Sequence, residues 1–239
     1  MNFKSEKQLK TYLNSLEFIG QGSQGICYLD KTNNTVIKIF HDFFEEGITS
    51  YKKEDILKFS NVKNKTFIWA TDVIMINDIV VGYTMPYISS RNLWKINPLM
   101  LNLDTLLKGI KNATLDFNIL SENNIVIYDI MYNILYNNGT FKIIDTLEYS
   151  YGDKVKDNMR GFNLEIMLFL VDNYFNDFVN KNSILKEMYL SDSVSCIEFI
   201  EALRYALSSY IGTKITRLNE AKKLIRRKEK PIYIIKFNF

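Results

Sequence analysis

Asp129, Asn133 and Asp145 fall within one stretch, LSENNIVIYDIMYNILYNNGTFKIIDTL, Leu120–Leu147. Its pattern predicts the end of an amphipathic helix, a loop carrying Asp129 and Asn133, a hairpin, and a strand that delivers Asp145 at its carboxyl end. Asn133 and Asp145 offer hard oxygen ligands of the kind that hold Mg²⁺, and Asp129 offers a carboxylate for an attacking hydroxyl. The chemistry indicated is metal-assisted handling of phosphate.

A second set of chemical residues lies upstream. Gly20-Gln-Gly22-Ser-Gln-Gly25 spells G-x-G-x-x-G. A dinucleotide fold uses the same spelling but needs a helix starting at the last glycine. Here the residues that follow, Ile26-Cys27-Tyr28-Leu29, are strand formers, and Lys31-Thr-Asn-Asn34 predicts a turn. A glycine loop between two strands brings backbone N–H groups close to phosphates. Thirteen residues beyond Gly25 comes Lys38, on a third predicted strand, with Val36 on the same face. Acids on the following predicted helix offer this lysine a carboxylate partner. Glu54 is the preferred residue, with Glu45, Glu46 and Asp55 as rivals.

Several elements must position these groups. Leu9, Tyr12, Leu13 and Leu16 predict a short helix before the first strand. Phe67–Met75 and Ile79–Met85 flank Asn77-Asp78 and predict a hairpin. Leu103, Leu106, Leu107, Ile110, Ala113, Phe117 and Leu120 form a helical stripe ending at the Asp129 loop. Asn163–Val179 is apolar on nearly all sides and predicts a buried helix, interrupted only by Glu165 in its densest run. Ser195-Cys-Ile-Glu198 spells a capping box, and Gly212 suits the end of that helix. Thr216–Lys228 predicts a last amphipathic helix whose polar side carries Arg217, Lys222, Lys223, Arg226, Arg227 and Lys228, read as a solvated face. The segment Pro231–Phe239 is apolar enough to pack on the helical part or on a partner.

In this order the motifs resemble the protein-kinase-like superfamily. Leu120-Ser-Glu-Asn-Asn-Ile-Val-Ile-Tyr-Asp129 is similar to the kinase run L-H-x-x-G-I-I-H-R-D, Asn133-Ile-Leu to N-I-L, and Ile143-Ile-Asp145 to the strand ending in the D-F-G aspartate. The chain looks like a small, divergent bacterial member, in the range of protein kinases and aminoglycoside phosphotransferases. The resemblance implies an α+β, bilobal fold. Its N-lobe, 1–88, would be a small antiparallel sheet with one main helix, and its C-lobe, 89–239, would be mostly helical. It implies ATP and Mg²⁺ as cofactors, Lys38 on the phosphates, Asn133 and Asp145 on the metal, and Asp129 as catalytic base. Gly20, Gly22 and Gly25 would cover the phosphates, Cys27 and Val36 would border the adenine, Met85 would be the gatekeeper, and Pro86 and Tyr87 would line the base edge. The acceptor is a hydroxyl of a protein or small molecule. Four positions separate Asp129 from Asn133 where kinases have five, Ile127 and Tyr128 replace His and Arg, and Asp145-Thr146-Leu147 replaces D-F-G. These departures carry an alternative, a pseudokinase that binds nucleotide or protein without phosphotransfer.

Composition narrows the classes further. With 239 residues, 47% of them apolar, the chain has ample material for a packed core. A net charge of +3 is too small to indicate nucleic-acid binding. His41 is the sole histidine, which removes multi-histidine metal sites. No apolar run reaches the roughly 18 residues of a membrane crossing. Cys27 and Cys196 are expected as free thiols in a reducing cytoplasm.

Overall fold

The computed structural model describes residues 1–46 and 49–225. The fold is mixed α+β, and the chain divides into two compact units. The first comprises Met1–Ser89 with Ile144–Leu147, and the second Ser90–Ile143 with the described residues from Glu148 onward.

The first unit runs β1 (Asn2–Phe3), α1 (Glu6–Leu13), β2 (Glu17–Gln21), β3 (Gly25–Asp30), β4 (Thr35–Phe40), α2 (His41–Glu46), α3 (Lys53–Leu57), β5 (Asp72–Ile76) and β6 (Ile79–Pro86). The strands form a six-stranded sheet in the order β1-β5-β6-β4-β3-β2. Alternation along β4 explains why both faces of the sheet are covered. Ile37 and Ile39 pack with Leu9 and Leu13 of α1, together with Ile74, Ile76 and Val81. Val36 and Phe40 point the other way, into a cluster with Ile56, Ile68, Ala70, Val73, Val80, Tyr83 and Met85. Lys38 lies between Val36 and Phe40 in the alternation, so a cation is carried into the apolar face that contains Met85. Gly82 permits this packing, because a Cβ there would meet the Lys38 carbonyl oxygen at 2.2 Å.

Three expectations for this unit need correction. The sheet is mixed rather than antiparallel, since β1 pairs parallel to β5. Among the described residues the longest helix of the unit, α1, lies between β1 and β2, and after Lys38 come two short helices, α2 and α3. The hairpin around Asn77-Asp78 begins at Asp72 instead of Phe67. Phe67 is buried and makes a single isolated bridge, while Ile68 and Ala70 pack into the core outside the ladder.

The second unit contains β7 (Arg91–Asn92), α4 (Leu103–Glu122), β8 (Ile125–Val126), β9 (Ile134–Asn137), β10 (Thr140–Ile143), β11 (Ser150–Tyr151), α5 (Asn158–Val171), α6 (Asn176–Lys181), α7 (Ser183–Leu190), α8 (Cys196–Ile211) and α9 (Leu218–Ile225). Every residue of the predicted stripe on α4 is buried, and Asn102 caps the helix by accepting from the Thr105 N–H. The β9–β10 hairpin turns on Asn138-Gly139, both at positive φ, the conformation that matches strand twist. Gly109 of α4 sits against that turn, where a Cβ would approach the Gly139 oxygen to 2.3 Å. The capping box of Ser195 and Glu198 is present on α8, and Gly212 ends the helix at φ 77°.

The single helix expected over Asn163–Val179 is two. The first, α5, starts earlier, at Asn158, and ends at Val171, where Asp172-Asn173 interrupts the apolar run before α6 begins. Asp and Asn compete with the helix for its own backbone groups, and so favour a break there. Arg226, Arg227, Lys228 and the Pro231–Phe239 segment lie outside the described residues. No helix among the described residues is long and apolar enough to cross a membrane.

Candidate active site

In the first unit, Lys38 is 4% exposed and its Nζ lies 2.5 Å from Asp145 Oδ1. A buried ammonium is costly unless paired, and Asp145 supplies the counter-charge. Asp145 sits at φ 60°, a left-handed conformation that Asp tolerates better than most residues. Its neighbours fasten it: the Thr146 hydroxyl donates to the Ile68 carbonyl at 3.2 Å, and Ile144 and Leu147 pack on the cluster around Met85. Thr146 is therefore an anchor of this segment.

The glycine loop closes on the same lysine. Lys38 Nζ donates to the Gln24 side-chain oxygen at 3.1 Å. Within the loop the Gly22 N–H donates to the Gly25 oxygen at 3.0 Å, so the tip is a tight turn. His41, the first residue of α2, holds it twice: its N–H donates to the Gln24 oxygen at 3.1 Å, and its Nε2 lies 2.9 Å from the Gly22 oxygen. The three glycines do different work. A Cβ on Gly25 would stand 2.2 Å from the Ile39 oxygen, so this glycine permits strand contact. Around Gly20 and Gly22 a Cβ would meet none of the described residues within 4 Å.

Cys27, Val36, Met85 and Tyr87 come together in one apolar cluster, joined by Ile88, Ile144 and Leu147. Cys27 lies directly across from Lys38 in the β3–β4 register, and Val36 across from Met85 in the β4–β6 register. Burial pushes the Cys27 thiol up from its ordinary range, with the Lys38 ammonium opposing that shift. Pro86 is exposed at the end of β6. The Tyr83 ring lies 5.8 Å from Lys38 Nζ, within cation–π range.

Glu54, expected as the partner of Lys38, is exposed in the first turn of α3 and makes no ion pair with it. The reason lies in α3, a five-residue helix whose buried side is occupied by Ile56. The charge is met instead by Asp145, from a segment 107 positions downstream.

In the second unit, Asp129 is exposed on its loop and Asn133 is half-buried; the Asn133 side-chain amide donates to the Asp129 carbonyl at 2.8 Å, closing the loop on itself. Asp129 and Tyr132 both have positive φ, 45° and 65°. For a tyrosine this is a strained conformation. One face of α5 holds the loop at three points. Asn158 accepts from the Ile127 N–H at 3.0 Å and donates to the Ile125 carbonyl at 2.8 Å. Gly161 receives Ile130, whose methyl would lie 2.6 Å from a Cβ there. Glu165, wholly buried, accepts through one oxygen from the Tyr132 N–H at 2.8 Å and the Trp94 indole N–H at 2.6 Å. Among the described residues its other oxygen has no hydrogen-bond partner. Burial raises the Glu165 carboxyl above the usual range; the two N–H donors pull it down, and the Asp129 charge adds to the rise.

Sequence reasoning missed Gln24, His41, Trp94, Asn158 and Gly161 as parts of these arrangements. The signal for Glu165 was present, a lone acid in an apolar helical run. The chain matches no protein-family model and no curated protein.

Proposed function

We propose that the chain is an ATP-dependent phosphotransferase of the protein-kinase-like type, with the bilobal organisation that this type implies. The observation that carries the reading is the buried Lys38–Asp145 pair, roofed by a glycine loop and bordered by the apolar cluster of Cys27, Val36, Met85 and Tyr87. A buried cation, a hard oxygen ligand and an apolar wall are what a phosphate chain, its Mg²⁺ and a purine each need.

These residues fit MgATP, which when bound supplies the phosphoryl group and the metal's charge. Lys38 would hold phosphate oxygens as a fixed point charge, with Gln24 released from it. Asp145 and Asn133 would be the protein's oxygen ligands to Mg²⁺, an ion that commonly takes only one or two protein ligands besides phosphates and water. Asp129 would accept the proton of the acceptor hydroxyl, which belongs to a protein or a small molecule. The alternative, a pseudokinase, is favoured by one observation: the loop between Asp129 and Asn133 is short and carries the strained Tyr132.

Thermal melts with ATP, Mg²⁺ and both, on wild type and Asp145→Asn, test the reading. Ligand at about a hundred times its dissociation constant stabilises by about 2.7 kcal/mol. For a chain of this size that shift is roughly 5–10 °C. We expect it with MgATP in the wild type and not in Asp145→Asn, each compared with its own ligand-free melt. A shift with MgATP but no ATP turnover selects the pseudokinase, and no shift under any condition sinks the nucleotide site.

A further inference from the structure

The mechanism uses Asp129 and Asn133 but leaves Glu165 without a role. A wholly buried carboxyl with one oxygen lacking any donor is a poor structural choice, because an amide or an apolar residue would avoid the desolvation. What its other oxygen holds is therefore informative. It takes the N–H of Tyr132, the bulky residue among the described ones at positive φ, which lies between the two functional loop residues and directly before Asn133. Among the described residues the other non-glycine positions at positive φ are Asn or Asp, which adopt this conformation readily.

Tyr132 is held on its carbonyl side as well, by the Asn92 side-chain amide at 2.5 Å. Trp94, the second donor to Glu165, sets its ring 5.8 Å from the Tyr132 ring. Both peptide groups of the strained residue are thus fixed from outside the loop. Asn158, Gly161 and Glu165 lie at i, i+3 and i+7 on α5, one helical face, and meet the chain at Ile127, Ile130 and Tyr132 in order.

We propose that Glu165 is a positioning residue for the 129–133 loop: its buried carboxyl holds Tyr132 in the left-handed conformation and thereby sets Asp129 and Asn133. The loop spans its four positions only with this residue in place. The catalytic part of the inference rests on the phosphotransferase reading; the structural part does not.

NMR-detected hydrogen exchange on the full chain separates the two. In Glu165→Ala the Tyr132 amide should exchange at least about tenfold faster, whereas Glu165→Gln, which keeps a carbonyl for both N–H donors, should stay within about threefold of wild type. Tyr132→Gly removes the strain, so in that background Glu165→Ala should change the loop far less. Should Glu165→Ala not fold, Glu165→Asp, with the carboxyl withdrawn by one methylene, is read in the same way. In turnover assays Glu165→Ala should lower kcat with little change in KM for MgATP, and Gln should restore it. An unchanged Tyr132 amide, or an equal effect with and without Tyr132→Gly, overturns the proposal. A wild type that transfers no phosphate defeats the phosphotransferase reading, and the exchange data then decide on Glu165 alone.

Discussion

Tyr132 costs on the order of 1–3 kcal/mol for its left-handed backbone, and a hydrogen bond to a charged group contributes about 1.5–3 kcal/mol. The two are of the same size, so Glu165 is able to offset the strain of the residue it holds. The charge state of Glu165 then matters for stability. An unfolded glutamate titrates near pH 4.3, and burial raises the folded value above that. Below both values each state carries the proton, and the site contributes its full stability. As pH rises the unfolded chain releases its proton first, so stability is lost through the window that ends at the folded value. Stability of the wild type relative to Glu165→Gln should therefore decline as pH rises from about 4, other carboxylates cancelling in the difference. Urea unfolding of the two proteins across pH 4–7 measures it, and a pH-independent gap would show that burial does not perturb this group.

The glycine hairpin shows how one motif divides between fold and chemistry. Gly25 faces the Ile39 oxygen across the β3–β4 ladder, whereas Gly22 faces open space. Gly25→Ala drives a Cβ into backbone and should destabilise by about 1–3 kcal/mol, the usual cost of overpacking. Gly22→Ala should leave the melt within about 0.5 kcal/mol, as surface changes do, and on the proposed phosphotransferase reading it should weaken nucleotide binding instead. Equal melts for the two variants would contradict this division. The strand–loop–strand form was legible because β-formers follow Gly25 directly, and the α4 stripe and the α8 capping box were legible because their signals are local and periodic. The break after Val171 was not, since an apolar run hides a two-residue interruption by Asp172 and Asn173. Nor was the partner of Lys38. Glu54 is close in sequence, but the helix that carries it turns Ile56 inward, and no local pattern reports that Asp145 returns from far downstream. Gln24 and Asn158 were illegible for a related reason: their role is set by what packs on them.

At the scale of the whole molecule, the first unit is not one stretch of chain. It lacks its last four residues until the chain has passed through the β9–β10 hairpin of the second, and those residues bring Ile144 and Leu147 to the core and Asp145 to Lys38. Removing the carboxylate charge leaves a buried ammonium uncompensated, at a cost of about 3–5 kcal/mol against a total stability of about 5–15 kcal/mol for a domain. The damage should appear far from position 145 in sequence. Asp145→Asn is expected to speed hydrogen exchange in β3, β4 and β6, the strands that surround Lys38, while the amides of α4 keep most of their protection. Adding Lys38→Met removes the stranded charge and fits a cluster that already holds Met85, so the double variant should recover most of the lost stability. That recovery separates a counter-charge from a packing role for Asp145. If the double variant is no more stable than Asp145→Asn alone, the segment acts through Ile144, Thr146 and Leu147, and the ion pair adds nothing to the closure of the unit.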